Sequence, residues 1–305
     1  MKTLFSHPNF DDLASEITGQ YPEIKKWSMQ FSHFADEWPN ISFQNVENEI
    51  EEREVYYLAD MSKPWLVFEN VAIFQALTRY FAQKVHVILP FYPVGTMERV
   101  SVEWEVATAK TFARILSSTP RAQDSITTFH TFDIHDVRER FYTSDDISFR
   151  LHSMMDELKK RISLDTIIVF PDEGAKKRFA NAFWEYEVVH ASKVRLWDTR
   201  EITIENISLE WKKVCIVDDL IQSGGTLIQT AFKLKEMWAA HISAFATHGV
   251  FVKDALQNLT QHFDSVITTD TIPKNNQYLQ EYKNIEILSI KQTIVDKILK
   301  ISHEK

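Results

Sequence analysis

The segment Asp218-Asp219-Leu220-Ile221-Gln222-Ser223-Gly224-Gly225-Thr226 holds the densest set of groups able to do chemistry. A phosphate monoester needs several N–H donors converging on one point. A glycine-containing turn at a helix N-terminus supplies them, helped by the positive end of the helix dipole. Ser223 and Thr226 add hydroxyl donors. Asp218 and Asp219 close the preceding apolar strand, where carboxylates accept hydrogen bonds from vicinal sugar hydroxyls or hold a hydrated Mg²⁺. Two aspartates alone would read as helix capping; the strand before them and Ser-Gly-Gly-Thr after them favour a sugar-phosphate loop. A Walker A loop needs Lys directly before the Ser/Thr, and none stands there.

Other groups are sparser, and each has a plainer reading. His135 follows a strand-like run and alone would be a structural imidazole. Asp172, in Phe170-Pro171-Asp172-Glu173-Gly174-Ala175, could simply form a turn. Lys193 and Arg195 alternate on a strand, so both cations point to one face and could meet one diphosphate; a solvated strand edge looks the same. Lys176-Lys177-Arg178 is the most basic run, read either as a solvated first helical turn or as local attraction for polyphosphates. The eight tryptophans follow no chemical pattern and read as packing or subunit-contact residues.

Positioning these groups requires strands that end where they begin. Strand-like runs cover Val85–Tyr92, Ile126–Ile134, Thr166–Phe170, Val214–Val217, Ile242–Thr247, Val266–Thr269 and Ile285–Ile290, short and often apolar on both faces. Helical spacing recurs at Phe68–Phe81, Val106–Leu116 and Leu227–Trp238, and again in a closing helix, Ile294–Ile301. Strands alternating with helices imply an α/β fold with parallel sheets covered on both faces, and ligands at the carboxyl ends of the strands. Average composition would give roughly 20 glycines in a chain this long. There are six, and Gly95, Gly174, Gly224, Gly225 and Gly249 each fall just past an expected strand. Tight turns or close backbone approach at those points explain that placement.

At 305 residues, 44% hydrophobic and 25% charged, the chain can form two domains of ordinary size. No apolar run reaches membrane-span length and no secretory core opens the chain, so neither a membrane nor secretion is expected. A formal net charge of −9 disfavours a nucleic-acid platform. The lone Cys215 precludes an internal disulfide and suits a cytoplasmic setting and a buried strand position.

The Val217–Leu227 segment resembles the loop of the type I phosphoribosyltransferase fold. Further stretches narrow the likeness to ribose-phosphate diphosphokinases: Phe5–Leu13, Thr131–Phe141, Ala246-Thr247-His248-Gly249-Val250-Phe251 and Thr269-Asp270-Thr271-Ile272-Pro273. Leu89-Pro90-Phe91-Tyr92-Pro93-Val94-Gly95-Thr96-Met97-Glu98-Arg99 and Phe132-Asp133-Ile134-His135 resemble the plant-type (class II) branch. The resemblance implies two similar domains, 1–147 on the ATP side and 148–305 on the ribose 5-phosphate side, with the site between them. The last helix, 292–303, would pack back on the first domain. It implies transfer of the β,γ-diphosphoryl group of MgATP to the C1 hydroxyl of ribose 5-phosphate, releasing AMP. Ribose 5-phosphate would be held by Asp218, Asp219, Gln222, Ser223, Gly224, Gly225 and Thr226. ATP would be held by Thr96, Glu98, Arg99 and His135, with Phe34 and Asp36 donated by a neighbouring subunit, hence a homo-oligomer. Lys193, Arg195 and His135 would be catalytic, and His135 and Asp172 would serve Mg²⁺. Where the bacterial branch has Arg-Gln-Asp, this chain has Thr96, Met97 and Glu98, which implies broader use of nucleoside triphosphate donors. A phosphoribosyltransferase would share the Asp218–Thr226 loop without explaining His135, Asp172 or the N-terminal half. A catalytically silent regulatory subunit is the other alternative, and it rests on the altered 96–98 loop.

Overall fold

The computed structural model describes residues 2–299 except 197–198, 205–206 and 274–275; for 193–201 and 276–277 it describes the backbone alone. Two compact units result. The first runs up to His152 and takes back the segment from Lys291; the second is Ser153–Ile290.

The first unit contains β1 (Lys2–Ser6), β2 (Ile24–Lys26), β3 (Met29–His33), β4 (Pro39–Phe43), β5 (Glu54–Leu58), β6 (Lys84–Ile88), β7 (Thr127–Phe132) and β8 (Ile147–His152). Six of these form one sheet in the order β2-β1-β5-β6-β7-β8, every pair parallel, while β3 and β4 make a separate antiparallel hairpin. Parallel neighbours need long crossovers, which the helices provide. Helix Pro64–Arg79 starts with proline in its first turn, where the missing N–H costs nothing. Helix Thr108–Ser117 buries Ala109, Phe112, Ala113 and Leu116, an i, i+3, i+4, i+7 stripe. Ile73, Phe74 and Leu77 of the first helix and Phe112 and Leu116 of the second pack on Val55, Tyr57, Val85, Val87 and Phe129. Ile294, Val295 and Ile298 are buried in the closing segment. Its start is tied to helix Asp11–Gln20 and the residue after it: Lys291 lies 3.2 Å from Glu16, and Tyr21 Oη donates to Gln292 Oε1 at 3.4 Å.

The second unit contains β9 (Ile167–Phe170), β10 (Val188–Leu196), β11 (Thr199–Ile204), β12 (Lys213–Ile221), β13 (His241–Gly249), β14 (Ser265–Thr269) and β15 (Ile285–Leu288). Their order is β11-β10-β9-β12-β13-β14-β15, parallel throughout except for β10 with β11. Both sheets are thus mainly parallel and flanked by helices, the expected α/β class. Each of the seven strand-like runs forms a strand. β12 continues past Val217 to Ile221, because Asp218, Leu220 and Ile221 pair with Ala246, His248 and Gly249 of β13. Cys215 is fully buried in β12, where burial pushes its thiol up to about 11. Six tryptophans (38, 65, 104, 184, 211 and 238) are largely exposed, so core packing does not explain them.

Candidate functional site

In the second unit β9 and β12 are neighbours running the same way, so their carboxyl ends meet at one edge. Asp172 stands just past β9 and caps helix Glu173–Phe179, its Oδ1 accepting from the Ala175 N–H at 2.9 Å. Asp218 and Asp219 stand in the last part of β12, Asp219 fully inside and Asp218 nearly so. Arg178, from the same short helix, reaches both: its guanidinium lies 2.5 Å from Asp219 Oδ1 and 3.4 Å from Asp218 Oδ1. The Asp219 N–H also donates to Asp218 Oδ1 at 2.9 Å. Burial, then the neighbouring carboxylates Asp219 and Asp172, push the Asp218 carboxyl well above its ordinary range, and Arg178 only partly offsets them. Two carboxyl groups meet one guanidinium, with Asp172 acting on Asp218 by charge, so hard oxygen donors are in excess.

Beyond Ile221 the chain turns through exposed Gln222 and Ser223 into buried Gly224 and then helix Gly225–Glu236. Gly224 has φ +73°, and an added Cβ would sit 3.0 Å from Leu259 Cδ2, so both the backbone and the space call for glycine. Ser223 Oγ accepts from the Gly225 N–H at 3.5 Å. The turn therefore sets Ser223, Gly225 and Thr226 at the start of a 12-residue helix, where the dipole and first-turn N–H groups favour an anion. The structure brings together Asp172, Asp218 and Asp219 by direct contact or charge, with the Gln222–Thr226 turn continuing the same strand. Lys193 and Arg195 lie in β10, their backbones opposite Ile202 and Arg200 of β11; their side chains lie outside the described residues.

Arg178 is the residue that sequence reasoning left unassigned. Lys177 of the same run is the solvated residue expected, facing Glu173 at 3.5 Å from an exposed position. Arg178 differs because it follows Ala175 by three and precedes Phe179 by one, and those two are buried. That spacing was the available signal.

In the first unit His135 follows β7 and meets the loop after β6. A Cβ on Gly95 would lie 3.1 Å from His135 Cβ, so the missing side chain lets the 95–99 loop approach the histidine. Thr96 lies in the single turn Gly95–Met97. Glu98 is turned inward and pairs with exposed Arg99 at 3.4 Å, while Tyr142 Oη donates to the Glu98 carbonyl at 3.3 Å. Phe34 and Asp36 occupy the β3–β4 turn, elsewhere in the unit. There Asp36, Trp38, Trp65 and Phe68 line an open cavity of about 550 Å³ that includes none of Thr96, Glu98, Arg99 or His135.

Residues 2–119 match the family described as the N-terminal domain of ribose phosphate pyrophosphokinase, and residues 207–305 match the phosphoribosyl synthetase-associated domain. Ribose-phosphate pyrophosphokinase 4 of Oryza sativa subsp. japonica is 34% identical over 306 residues, covering 96% of this chain and 94% of that protein. This chain belongs to the ribose-phosphate pyrophosphokinase family. Ribose-phosphate pyrophosphokinase 3, chloroplastic, of Arabidopsis thaliana is 40% identical over 257 residues, 83% of this chain and 62% of that longer protein. Both are plant proteins, in keeping with the plant-type resemblance. In fold the chain is similar to phosphoribosylpyrophosphate synthetase from Mycobacterium smegmatis, with a TM-score of 0.83, 20% identity and 98% of each chain covered.

Among the described residues no helix is long and apolar enough to cross a membrane, and no three His, Cys, Asp or Glu side chains converge to hold a metal unaided. The expected Mg²⁺ ligands, Asp172 and His135, are each compatible with an ion that takes one or two protein ligands and completes its shell with water and substrate phosphate oxygens.

Proposed function

We propose that this chain transfers the β,γ-diphosphoryl group of ATP to the C1 hydroxyl of ribose 5-phosphate, giving 5-phosphoribosyl 1-diphosphate and AMP. The observation that carries the reading is the Asp218–Asp219–Arg178 cluster feeding directly into the Gly224 turn: carboxylates for vicinal hydroxyls, then a helix start for the 5-phosphate. The Gln222–Thr226 turn binds the phosphate through backbone N–H groups and the Ser223 and Thr226 hydroxyls. Asp218 and Asp219 orient the ribose, fixing C1. The C1 oxygen forms a bond to the β-phosphorus as the bond from that phosphorus to the α,β-bridging oxygen breaks; the hydroxyl proton passes to water and AMP departs with the bridging oxygen. Asp172, beside the sugar-phosphate turn, and His135, beside the 95–99 loop, would each hold Mg²⁺, which would neutralise phosphate oxygens. Lys193 and Arg195 place cations where negative charge builds up.

Arg99, Thr96 and Glu98 hold the nucleotide beside His135. The inward Glu98 partly neutralises Arg99, which weakens one phosphate contact and favours tolerance among donors. Phe34 and Asp36 serve a neighbouring copy of the chain; the exposed Trp38, Trp65 and Phe68 beside them support a homo-oligomer. The buried, solitary Cys215 suits a reducing compartment such as the cytoplasm. Incubating the purified protein with ribose 5-phosphate, ATP and Mg²⁺ tests the reading. AMP and phosphoribosyl diphosphate appear in equal amounts; no AMP with any nucleoside triphosphate would contradict it.

A further inference from the structure

One row of polar side chains in the first unit takes no part in the chemistry above. Glu54 and Tyr56 lie on β5, His86 on β6, His130 on β7 and His152 on β8, four strands adjacent in the sheet. His86 pairs with Thr128 and His130 with Arg150, so each histidine stands two residues past its predecessor's partner, on one face of the sheet. Tyr56 Oη donates to Glu54 Oε1 at 2.8 Å, and His86 Nε2 lies 3.1 Å from the same oxygen. His86 Nδ1 and His130 Nε2 are 3.1 Å apart, and His130 Nδ1 and His152 Nε2 are 3.0 Å apart. Ring stacking fixes the geometry: Tyr56 on His86 at 13°, His130 on His152 at 12°.

The row has a direction. An ionised carboxylate only accepts, so His86 must donate through Nε2–H. A neutral imidazole carries one N–H, so His86 Nδ1 accepts from His130 Nε2–H, and His130 Nδ1 accepts from His152 Nε2–H. All three rings are then neutral Nε2–H tautomers, and Nδ1 of His152 ends the row as an acceptor. We propose that Glu54, His86, His130 and His152 form an acid-sensing relay that takes up a single proton and, in doing so, reverses its own hydrogen-bond direction.

A proton bonding to His152 Nδ1 releases that ring's Nε2 proton to His130 Nδ1. His130 in turn passes its Nε2 proton to His86 Nδ1, and His86 keeps its Nε2–H to Glu54. One proton enters, His130 and His152 end as Nδ1–H tautomers, and His86 becomes the imidazolium. The charge settles there because Glu54 is 3.1 Å away. Facing the row are Lys84 of β6, Arg150 of β8 and Lys297 of the closing segment, with Lys2 of β1 acting on Glu54. Those cations disfavour a second proton.

Burial, offset in part by Glu54, lowers the His86 pKa; burial, with Lys297 and Arg150, lowers that of His152 to about 4. The folded row therefore loads below the ordinary imidazole value of 6.5. Because the unfolded chain binds the proton first, the row's contribution to stability is complete above that value and is lost as the pH falls towards about 4.

Ring ¹⁵N NMR shifts of the ¹⁵N-histidine-labelled full chain, recorded from about pH 8 to about pH 4, test this. The expected result is three Nε2–H tautomers at the alkaline end and one shared midpoint, with His86 becoming the imidazolium while His130 and His152 switch to Nδ1–H. In His130→Gln the amide keeps a donor and an acceptor but cannot pass a proton, so His86 and His152 titrate at separate midpoints. An Nδ1–H tautomer at His86 above its titration, or separate midpoints in the unaltered protein, would overturn the relay. The unaltered protein decides the matter by itself if the variant does not fold.

Discussion

Replacing Arg178 with alanine destabilises the second unit by about 3–5 kcal/mol, the usual cost of removing one partner from a buried ion pair. The side chain is only 17% exposed and is the cation that meets both Asp218 and Asp219. Without it, Asp218 and Asp219, adjacent on β12 with the Asp219 N–H donating to Asp218 Oδ1, lose that counter-charge. The Asp218 carboxyl, already raised with Arg178 present, rises further in the folded state. A carboxyl with a raised folded pKa stabilises the fold when protonated and loses that contribution as the pH rises through the folded value. The deficit is therefore largest at neutral and alkaline pH and shrinks in acid. Urea unfolding midpoints of both proteins at two pH values check this; a variant matching the unaltered protein at neutral pH would remove Arg178 from its role. If Asp218 and Asp219 orient the ribose as proposed, binding of ribose 5-phosphate falls with it, because Arg178 no longer holds the two carboxyl groups in place.

The second large effect is on rate and leaves the fold untouched. Lys193→Ala lowers turnover by about 10²–10³-fold, the range for removing one donor aimed at developing charge. A cation that acts on the transferring diphosphoryl group contributes little before the transition state. Turnover and kcat/KM for ribose 5-phosphate thus fall together while the sugar phosphate binds as before. Steady-state kinetics paired with equilibrium binding of ribose 5-phosphate separate the two quantities. Turnover like that of the unaltered protein would take Lys193 out of the reaction.

Much of this arrangement is legible in the sequence because buried parallel strands write themselves as continuous apolar runs. Ile167–Phe170 and Lys213–Val217 are of that kind, and both lead straight into site residues. β1 and β5 escape because each is five residues long and mixes polar with apolar side chains, Lys-Thr-Leu-Phe-Ser and Glu-Val-Tyr-Tyr-Leu. The β3–β4 hairpin alternates between half-buried and exposed residues, a weaker pattern still. Asp218 and Asp219 end the apolar run but not the strand, since β13 supplies ladder partners that no local preference reveals. Arg178 is hidden for a related reason: a Lys-Lys-Arg run looks solvated until the helix phase is set by Ala175 and Phe179. The histidine row is further from reach, because it exists only once the register of four strands is fixed. Gly224 and Gly95, by contrast, announce themselves: in a chain with six glycines, one takes a positive φ and the other opens the approach to His135.

A label on the β-phosphorus of ATP distinguishes the proposed transfer of a diphosphoryl group from transfer of a single phosphoryl group. With ATP labelled at that position, Mg²⁺ and ribose 5-phosphate, the label is expected in phosphoribosyl diphosphate while the nucleotide leaves as unlabelled AMP. Label retained in ADP, or left in ATP with no sugar product, would rule out diphosphoryl transfer by this chain.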